Sequence, residues 1–328
     1  MTLKTVGMTR VAWYLLIRKY ILIYMLDLLV FGTVTIDLYY RGESITEDDG
    51  HFKLAIGGKY FADHFYEGLG GGGANVAIGS NNEGLKVGLV AKIGNNAFKD
   101  VILKKLDNSK VAYKNLSQFE NDYINISSII LSKKGEKIIL NYRTPHQHFF
   151  TKNKDYDVLD KAQAMYMANL SQVSLTNRIK IFQKAKSKGL KTFANINVKD
   201  CRRPIEELVH LVSDVDTLII NGYEFADMVK VPYQNIDFHT NIVKKYAPFT
   251  EKHILVITDG QKGSYAYNEG KVYYQKAIQT NNVVDTTGAG DAYTAGFISS
   301  FTKNEGIEKS MKNGAKCASK IVSKIGSN

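Results

Sequence analysis

The fold and the chemistry of this chain are best judged from one stretch, Val284-Asp285-Thr286-Thr287-Gly288-Ala289-Gly290-Asp291-Ala292-Tyr293. Small residues come first and a run of apolar, small side chains follows, so the pattern predicts a loop that turns into a buried helix. Backbone N–H groups at a helix start lack intrahelical partners and favour an anion. A carboxylate in the first turn would repel a phosphate, but it suits a base that takes a proton from an attacking hydroxyl.

A plainer interpretation fits the same letters. Aspartate is a favoured N-cap residue, and Gly-Ala-Gly can be no more than a tight turn. The stretch by itself leaves both interpretations open, and the rest of the chain has to decide between them.

Further motifs follow one another along the chain. They are Leu29-Val30-Phe31-Gly32-Thr33-Val34-Thr35-Ile36-Asp37, Gly70-Gly71-Gly72-Gly73-Ala74-Asn75-Val76-Ala77, Val87-Gly88-Leu89-Val90-Ala91-Lys92-Ile93-Gly94, Asn221-Gly222-Tyr223-Glu224 and Val256-Ile257-Thr258-Asp259-Gly260-Gln261-Lys262-Gly263. With the opening stretch, this set resembles the ribokinase-like carbohydrate kinases, also called the PfkB family. Each motif is common, whereas the full set in the family's order is specific and covers nearly the whole chain.

The resemblance implies a three-layer α/β/α ribokinase-like fold with a mostly parallel central sheet and a small inserted β lid. The chain's own pattern agrees, because β-type runs alternate with helical patterns. The β-type runs are 26–36, 86–92, 165–170, 190–196, 216–220, 253–258 and 263–268, and the helical patterns are 73–82, 96–106, 175–188, 204–213, 238–247, 291–303 and 308–324. We expect one kinase domain over 25–328, with a lid formed by about 37–66 and 123–143.

Residues 1–24 precede the family's first strand. They include four basic residues and no acidic one, and their apolar run 11–17 is too short to span a membrane. They also lack a clear small-residue cleavage site. We expect a dispensable extension that arises from an upstream, misassigned start.

Composition limits the other classes of function. The net charge is +11, but the basic residues are scattered, which is typical of a solvated surface and not of a nucleic-acid partner. Cys201 and Cys317 are far apart in sequence and imply no disulfide framework, so we expect a cytoplasmic protein. We expect no membrane partner.

At the catalytic centre, the resemblance implies that Asp291 is the general base. The backbone N–H groups of Gly288, Ala289 and Gly290 would then bind the charge of the transferring phosphoryl group. Phosphoryl transfer needs mainly positioning and charge neutralisation, which explains why few side chains are implied.

On the sugar side, the implied residues are Asp37, Gly71, Gly72, Gly73, Asn75 and Arg143. The lid of the family covers the sugar and in many members pairs with a second subunit, so the resemblance also implies a homodimer through the lid.

On the nucleotide side, the resemblance implies ATP and Mg²⁺. The implied residues are Asn221, Glu224, Thr258, Gly260, Gly263 and Ala315. Glu224 would organise the magnesium through water, because Mg²⁺ keeps several waters. The helix around 315–322 would line the adenine, and Asp285 with Thr287 would bind a monovalent cation such as K⁺.

The substrate stays open, with a small free sugar such as ribose or fructose favoured over a nucleoside or a sugar phosphate. A sugar phosphate needs fixed cations, for which the candidates are Lys92, Arg143, His146 and His148. A nucleoside needs an aromatic clamp, for which the candidates are Phe52, Tyr60, Phe61 and Phe65.

Two other classes of function are weaker. Gly68-Leu69-Gly70-Gly71-Gly72-Gly73 fits the dinucleotide fingerprint of redox enzymes, but 64–67 make a poor strand before it and the next strand ends at Lys92 instead of an acid. A catalytically inactive sugar sensor is the other alternative, and the presence of Asp291 argues against it.

The chain departs from the family at two places. Asn96 stands where the family usually has an acid, and Asn195-Ile196-Asn197-Val198-Lys199 replaces its Asp-x-Asn-x-Arg element. A lysine cannot reproduce the planar fork of arginine. The changes affect the surroundings of the site and leave the predicted reaction class intact.

Overall fold

The computed structural model describes residues 25–49, 51–132, 136–145, 149–246, 252–280, 286–323 and 326. Its strands are β1 Leu26–Phe31, β2 Thr35–Arg41, β3 Glu47–Asp48, β4 His51–Phe52, β5 His64–Gly70, β6 Val87–Val90, β7 Lys92–Gly94, β8 Gln118–Glu120, β9 Asn125–Leu131, β10 Lys137–Arg143, β11 Ala162–Met167, β12 Lys191–Ala194, β13 Thr217–Asn221, β14 Ile254–Thr258, β15 Ser264–Asn268 and β16 Lys271–Gln275. Its α-helices are α1 Gly72–Asn82, α2 Lys99–Ser109, α3 Leu175–Ser187, α4 Val198–Cys201, α5 Ile205–Val212, α6 Gly222–Val229, α7 Ile242–Tyr246, α8 Ala289–Thr302 and α9 Ile307–Ile321.

A large sheet forms the middle layer, with eight strands in the order β16-β15-β14-β13-β12-β11-β1-β6. Neighbours from β6 to β14 are parallel, and β15 and β16 continue the sheet antiparallel. Leu28 and Val30 of β1 enter one buried apolar cluster, and Leu29 and Phe31 enter another. Because successive side chains of a strand point to opposite faces, both faces of the sheet are covered. The predicted three-layer, mostly parallel fold is confirmed.

Helices α1, α8 and α9 pack on the cluster that contains Leu28 and Val30. Helices α3, α5 and α6 pack on the cluster that contains Leu29 and Phe31. The loops at the carboxyl ends of the parallel strands therefore meet along one edge, which is where ligands bind in open sheets of this kind.

A second sheet, called here the small sheet, has the order β10-β9-β2-β5. Strands β9 and β10 form the hairpin predicted at 124–131 and 137–142, while β2 pairs with β9 in parallel and with β5 antiparallel. The small sheet thus draws on both segments that we predicted as the lid.

Several elements differ from the sequence prediction. The run 26–36 is two strands in different sheets, because the chain turns at Gly32, where an added methyl group would lie 2.4 Å from the Gly73 Cα atom. The supposedly poor strand at 64–67 belongs to β5, which lies at the edge of the small sheet with exposed side chains along half its length. Helix α6 and strand β16 were not predicted.

The helix predicted at 238–247 begins later, at Ile242. The Asp237 carboxylate accepts the His239 N–H and its carbonyl accepts the Thr240 hydroxyl, so the chain makes a turn there first. Residue 247 lies outside the described residues, as do 1–24. None of the helices in the described part of the chain combines the length and the apolar character needed to cross a bilayer.

A buried ion pair between Arg178 and Asp200 connects α3 to α4. Arg178 donates two hydrogen bonds to the Asp200 carboxylate, at 2.6 and 2.8 Å, and Arg203 donates a third at 2.9 Å. Burial opposes the charge of Asp200, but the bonds from the two arginines outweigh it and hold the pKa of Asp200 below its ordinary value.

We expect Asp200→Asn to lower the free energy of unfolding by about 3–5 kcal/mol at neutral pH, because Arg178 would stay buried without its counter-charge. Since the folded-state pKa of Asp200 is lowered, its contribution is present above the ordinary aspartate value of 3.8 and is lost as the pH falls below that value. Urea unfolding at several pH values measures both effects. Glu207→Gln, which removes the more exposed partner of Arg203, is the control and should cost at most about 1 kcal/mol.

Candidate active site

Asp291 lies in the first turn of α8, three residues after Gly288, which is the N-cap and has φ 77°. This left-handed conformation suits glycine, and the cap makes no side-chain hydrogen bond. Asp291 is therefore not the N-cap of its helix, so this part of the plainer interpretation is wrong, although residues 287–288 do form a turn. N–H groups at a helix start lack intrahelical acceptors, and that of Ala289 donates to the Thr286 carbonyl at 3.3 Å. The space beside Gly290 is open, since an added methyl group there would meet no atom within 4 Å.

The Asp291 carboxylate is held by Asn75 of α1, whose Nδ2 donates to Oδ2 at 2.8 Å. Gly72, at the start of the same helix, adjoins the carboxylate as well, since an added methyl group there would lie 3.6 Å from Oδ1. The pKa of Asp291 is raised, because burial disfavours the charge more than the Asn75 hydrogen bond favours it. A raised pKa makes a carboxylate a better proton acceptor than an ordinary aspartate.

One face of the small sheet, called here the site face, carries Asp37 beside Ser127. Asp37 is 6% exposed and lies against Gly70, where an added methyl group would sit 1.9 Å from its Oδ2 atom. Gly71 follows with φ 93° and brings the chain into α1. The glycines 71–73 and Asp37 are thus neighbours, and Asn75 joins them to Asp291.

Sequence reasoning missed several buried polar side chains near this face, among them Thr35, Asn125 and Ser127. Asn125 donates to the Val34 carbonyl at 2.8 Å, and its side-chain oxygen is buried with no hydrogen-bond partner among the described residues. An Asn-x-Ser alternation at the start of a strand with otherwise apolar inward positions was the available signal.

Most of the candidate cations and aromatic residues do not reach the site face. Arg143 pairs in register with Asn125 and so belongs to this face, but it lies at the edge of the small sheet and is exposed. Lys92 is buried, and its amine forms an ion pair with Glu120 at 2.6 Å. Phe61 is 78% exposed, and Phe65 lies on the opposite face in register with Tyr40. His146 and His148 lie outside the described residues.

A cavity of about 520 Å³ opens beside residues 286–288, called here the Gly288 loop. The predicted residues Thr258, Gly260, Gly263, Ala289, Gly290 and Ala315 all line it. Sequence reasoning missed its far wall, which is formed by Tyr293 and by residues 275 and 277–280. The helix predicted to line a base contributes Ala318, Ser319 and Val322.

Asn221 and Glu224 form a capping box at the start of α6. The Asn221 side chain accepts the Glu224 N–H at 2.8 Å, and Glu224 Oε2 accepts the Asn221 N–H at 2.9 Å. Asn221 is in register with Thr258 and so lies at the same edge of the large sheet. Burial raises the pKa of Glu224. The pKa of Tyr166, a buried residue of β11 that sequence reasoning missed, is raised by burial and, to a lesser degree, by the charges of Asp291 and Glu224.

No cluster of three or more His, Cys, Asp or Glu side chains that could hold a metal occurs among the described residues. A magnesium ion beside Glu224 would have to draw its other ligands from groups outside such a cluster, such as water and phosphate oxygens. Asp285, the candidate for a monovalent cation, lies outside the described residues.

The two departures from the family have local explanations. Asn96 donates its amide to the Tyr123 carbonyl at 2.7 Å, which a carboxylate could not do. Asn195, which stands where the family has an aspartate, donates its amide to the Ile219 carbonyl at 2.8 Å, and Lys199, which stands where it has an arginine, is exposed.

A model of the pfkB family of carbohydrate kinases matches residues 25–328. The chain belongs to this family. The predicted family and enzyme class, a phosphotransferase that acts on a sugar, are thereby confirmed.

Relatives within the pfkB family differ in their named activities. The probable chloroplastic fructokinase-6 of Arabidopsis thaliana is 26% identical over 255 residues, which are 73% of this chain and 63% of that protein. The chain thus spans less than two thirds of that fructokinase. A 5-dehydro-2-deoxygluconokinase of Listeria monocytogenes is 26% identical over 267 residues, 78% of this chain and 81% of the relative. The ribokinase of Arabidopsis thaliana, solved with ribose and ATP, superposes with a TM-score of 0.76 at 21% identity and covers 92% of this chain and 94% of its own. This likeness confirms the ribokinase-like fold.

We expect Asn75→Ala to raise the pKa of Asp291 further, because the one hydrogen bond that lowers it is removed. Carboxyl NMR of protein with ¹³C-labelled aspartate measures the titration, with the signal assigned by its loss in Asp291→Asn. Asn81→Ala, in the same helix but bonded to the Ser109 carbonyl, is the control. An unchanged titration in Asn75→Ala would show that the bond does not set the pKa.

Proposed function

We propose that this enzyme transfers the γ-phosphate of ATP to a hydroxyl group of a small free sugar, with Asp291 as the general base. The observation that carries the proposal is the position of Asp291. Its carboxylate lies at the start of α8, between the polar site face of the small sheet and the cavity that Thr258, Gly263 and Ala315 line.

The proposed reaction uses few groups. A sugar hydroxyl bound by Asp37 and Asn75 gives its proton to Asp291 as its oxygen attacks the γ-phosphorus. The N–H groups of 288–290 take up the charge on the transferred phosphoryl group, a type of contact whose loss typically costs about 10²–10³ in rate. The residues of the cavity hold the rest of the nucleotide.

Magnesium would be organised by Glu224 through water and would supply charge neutralisation between the β- and γ-phosphates. We also propose that Asp285 and Thr287 bind a monovalent cation such as K⁺. The two buried cysteines are free thiols, which supports a reducing, cytoplasmic setting.

A free sugar fits the site face better than the alternatives. The buried side chains around Asp37 include carboxylate, amide and hydroxyl groups, which are suited to sugar hydroxyls. The ion pair of Lys92 with Glu120 and the outward position of Phe65 weaken the cases for a sugar phosphate and for a nucleoside. Relatives named fructokinase are consistent with this choice.

A coupled assay of ADP release with ATP and Mg²⁺ tests the function across free sugars, sugar acids, nucleosides and sugar phosphates. We expect turnover with a free sugar and a loss of about 10²–10⁴ in kcat for Asp291→Ala, the typical contribution of a positioned base. Unchanged thermal unfolding of the variant serves as the folding control.

Other results of the ADP-release assay would each contradict a different part of the proposal. Turnover only with a nucleoside or a sugar phosphate would contradict the proposed substrate and keep the base. Sugar binding without turnover of the intact protein would indicate a sensor. Full activity of Asp291→Ala would remove Asp291 from the mechanism.

We also propose that the small sheet forms a homodimer. Its face opposite the site, called here the outer face, carries Phe65, Leu140 and Tyr142, which are 55%, 63% and 58% exposed. Phe65 packs beside Tyr40 with ring centroids 5.4 Å apart, which extends the apolar part of this face from β5 onto β2. An antiparallel pair usually presents polar residues to water, and an apolar face of this kind is typical of an interface.

We expect the intact protein to be a dimer in light scattering after size-exclusion chromatography, and Leu140→Asp to be a monomer, because a charge would be buried in the interface. Ile205→Asp, on the exposed surface of α5, is the control and should leave the dimer intact. A monomeric intact protein at tens of micromolar would contradict the proposal.

A further inference from the structure

Lys137 connects the small sheet to the loop that precedes α8. It is the first residue of β10, and its amine donates a hydrogen bond to the hydroxyl of Thr287. Thr287 immediately precedes Gly288, the N-cap of the helix that carries Asp291. A side chain of the small sheet thus reaches the loop that is proposed to hold the transferring phosphoryl group.

The register of the small sheet places Lys137 on the site face. In the β9–β10 pair, Lys137 is opposite Leu131 and Asn141 is opposite Ser127, and Ser127 pairs with Asp37. Residues an even number apart on a strand share a face, so Lys137 and Asp37 belong to the same one. Arg143 lies six positions further along β10, on the order of 20 Å away. The two cations of this strand therefore serve different parts of the site.

A positive charge beside the Gly288 loop would stabilise the proposed phosphoryl transfer. Gly290 and Thr258 line the cavity proposed for the nucleotide. Asp291 follows Gly290, and Glu224 accepts the N–H of Asn221, the register partner of Thr258, so two acids lie near a strongly anionic ligand. Phosphoryl transfer spreads negative charge over the equatorial oxygens of the γ-phosphate, and neutralising this charge is a main part of catalysis. An ammonium group has three donors, so it can contact Thr287 and phosphate oxygens at once.

We propose that Lys137 is a further catalytic residue, which contacts the γ-phosphate of ATP and neutralises charge on the phosphoryl group during transfer. This inference rests on the proposed phosphotransfer. In the step, the sugar hydroxyl loses its proton to Asp291, its oxygen forms the bond to the γ-phosphorus, and the bond from that phosphorus to the β–γ bridging oxygen breaks to release ADP. Lys137 keeps its protons throughout and acts by charge.

The positive charge of Lys137 comes from the small sheet and not from the large one. The base, the N–H groups and the nucleotide cavity all belong to the part built on the large sheet, whereas Lys137 arrives with the hairpin β9–β10. The phosphoryl site is complete only while this hairpin lies over the Gly288 loop.

Isothermal titration calorimetry with Mg²⁺, using ADP and a non-hydrolysable ATP analogue, tests the contact without turnover. For Lys137→Met we expect about tenfold weaker binding of the triphosphate and unchanged binding of ADP, because only the triphosphate has the contacted group. In the ADP-release assay we expect kcat to fall by about 10²-fold, the size typical of one lost oxyanion donor. Lys137→Arg, which keeps the charge, should restore most of the triphosphate preference.

The matched control is Lys105→Met. Lys105 of α2 also reaches the small sheet, since its amine donates to the Glu67 carbonyl at 3.1 Å, but at the opposite edge. It should leave the ratio of triphosphate to ADP affinity unchanged. An unchanged ratio in Lys137→Met, or an equal loss in Lys105→Met, would overturn the role of Lys137. Because the affinity ratio is measured without turnover, an inactive intact protein would contradict the proposed function and still decide the role of Lys137.

Discussion

Helices α1, α8 and α9 pack so closely that their contacts require residues without side chains, and the site depends on this packing. An added methyl group at Gly79 would lie 2.7 Å from the Ala295 Cβ atom, and one at Gly296 would lie 2.7 Å from the Cys317 Sγ atom. At Gly314 it would lie 2.9 Å from the Tyr293 carbonyl. The close approach of α1 to α8 brings Asn75 within hydrogen-bond distance of Asp291, and that of α9 to α8 brings Ala315 to the cavity wall. Larger residues would separate these groups.

The two sheets divide the chemistry between them. The large sheet and its helices supply the start of α8, the carboxylate of Asp291 and the cavity beyond it. The small sheet supplies a face whose inward residues change along the strands, from the polar pair Asp37 and Ser127 to the apolar cluster of Tyr39, Ile129 and Leu131. The polar end suits a sugar, and the apolar end excludes water, which strengthens electrostatic contacts beneath it. Lys137 lies at this apolar end, next to the loop where the charge of the reaction would develop.

Two buried aspartates, Asp200 and Asp291, have pKa values shifted in opposite directions. At Asp200, hydrogen bonds from arginines outweigh the cost of burial and keep the group charged, so that it ties helices together. At Asp291, burial prevails over a single bond from a neutral amide, so the carboxylate keeps its affinity for a proton. The same residue type thus serves structure in one place and is suited to proton transfer in the other, and the number and charge of its donors make the difference.

The sequence by itself determined the family, the three-layer fold, most strands and helices of the large sheet, and the residues around Asp291. These follow from local pattern, because glycines, caps and apolar periodicity act over a few neighbouring positions. Only the tertiary structure decided that the run 26–36 enters two sheets, that 64–67 are an edge strand, and that Asn125, Ser127 and Lys137 lie near the site. These contacts join segments far apart in the chain, and strand register sets which face each side chain occupies, which local pattern does not specify.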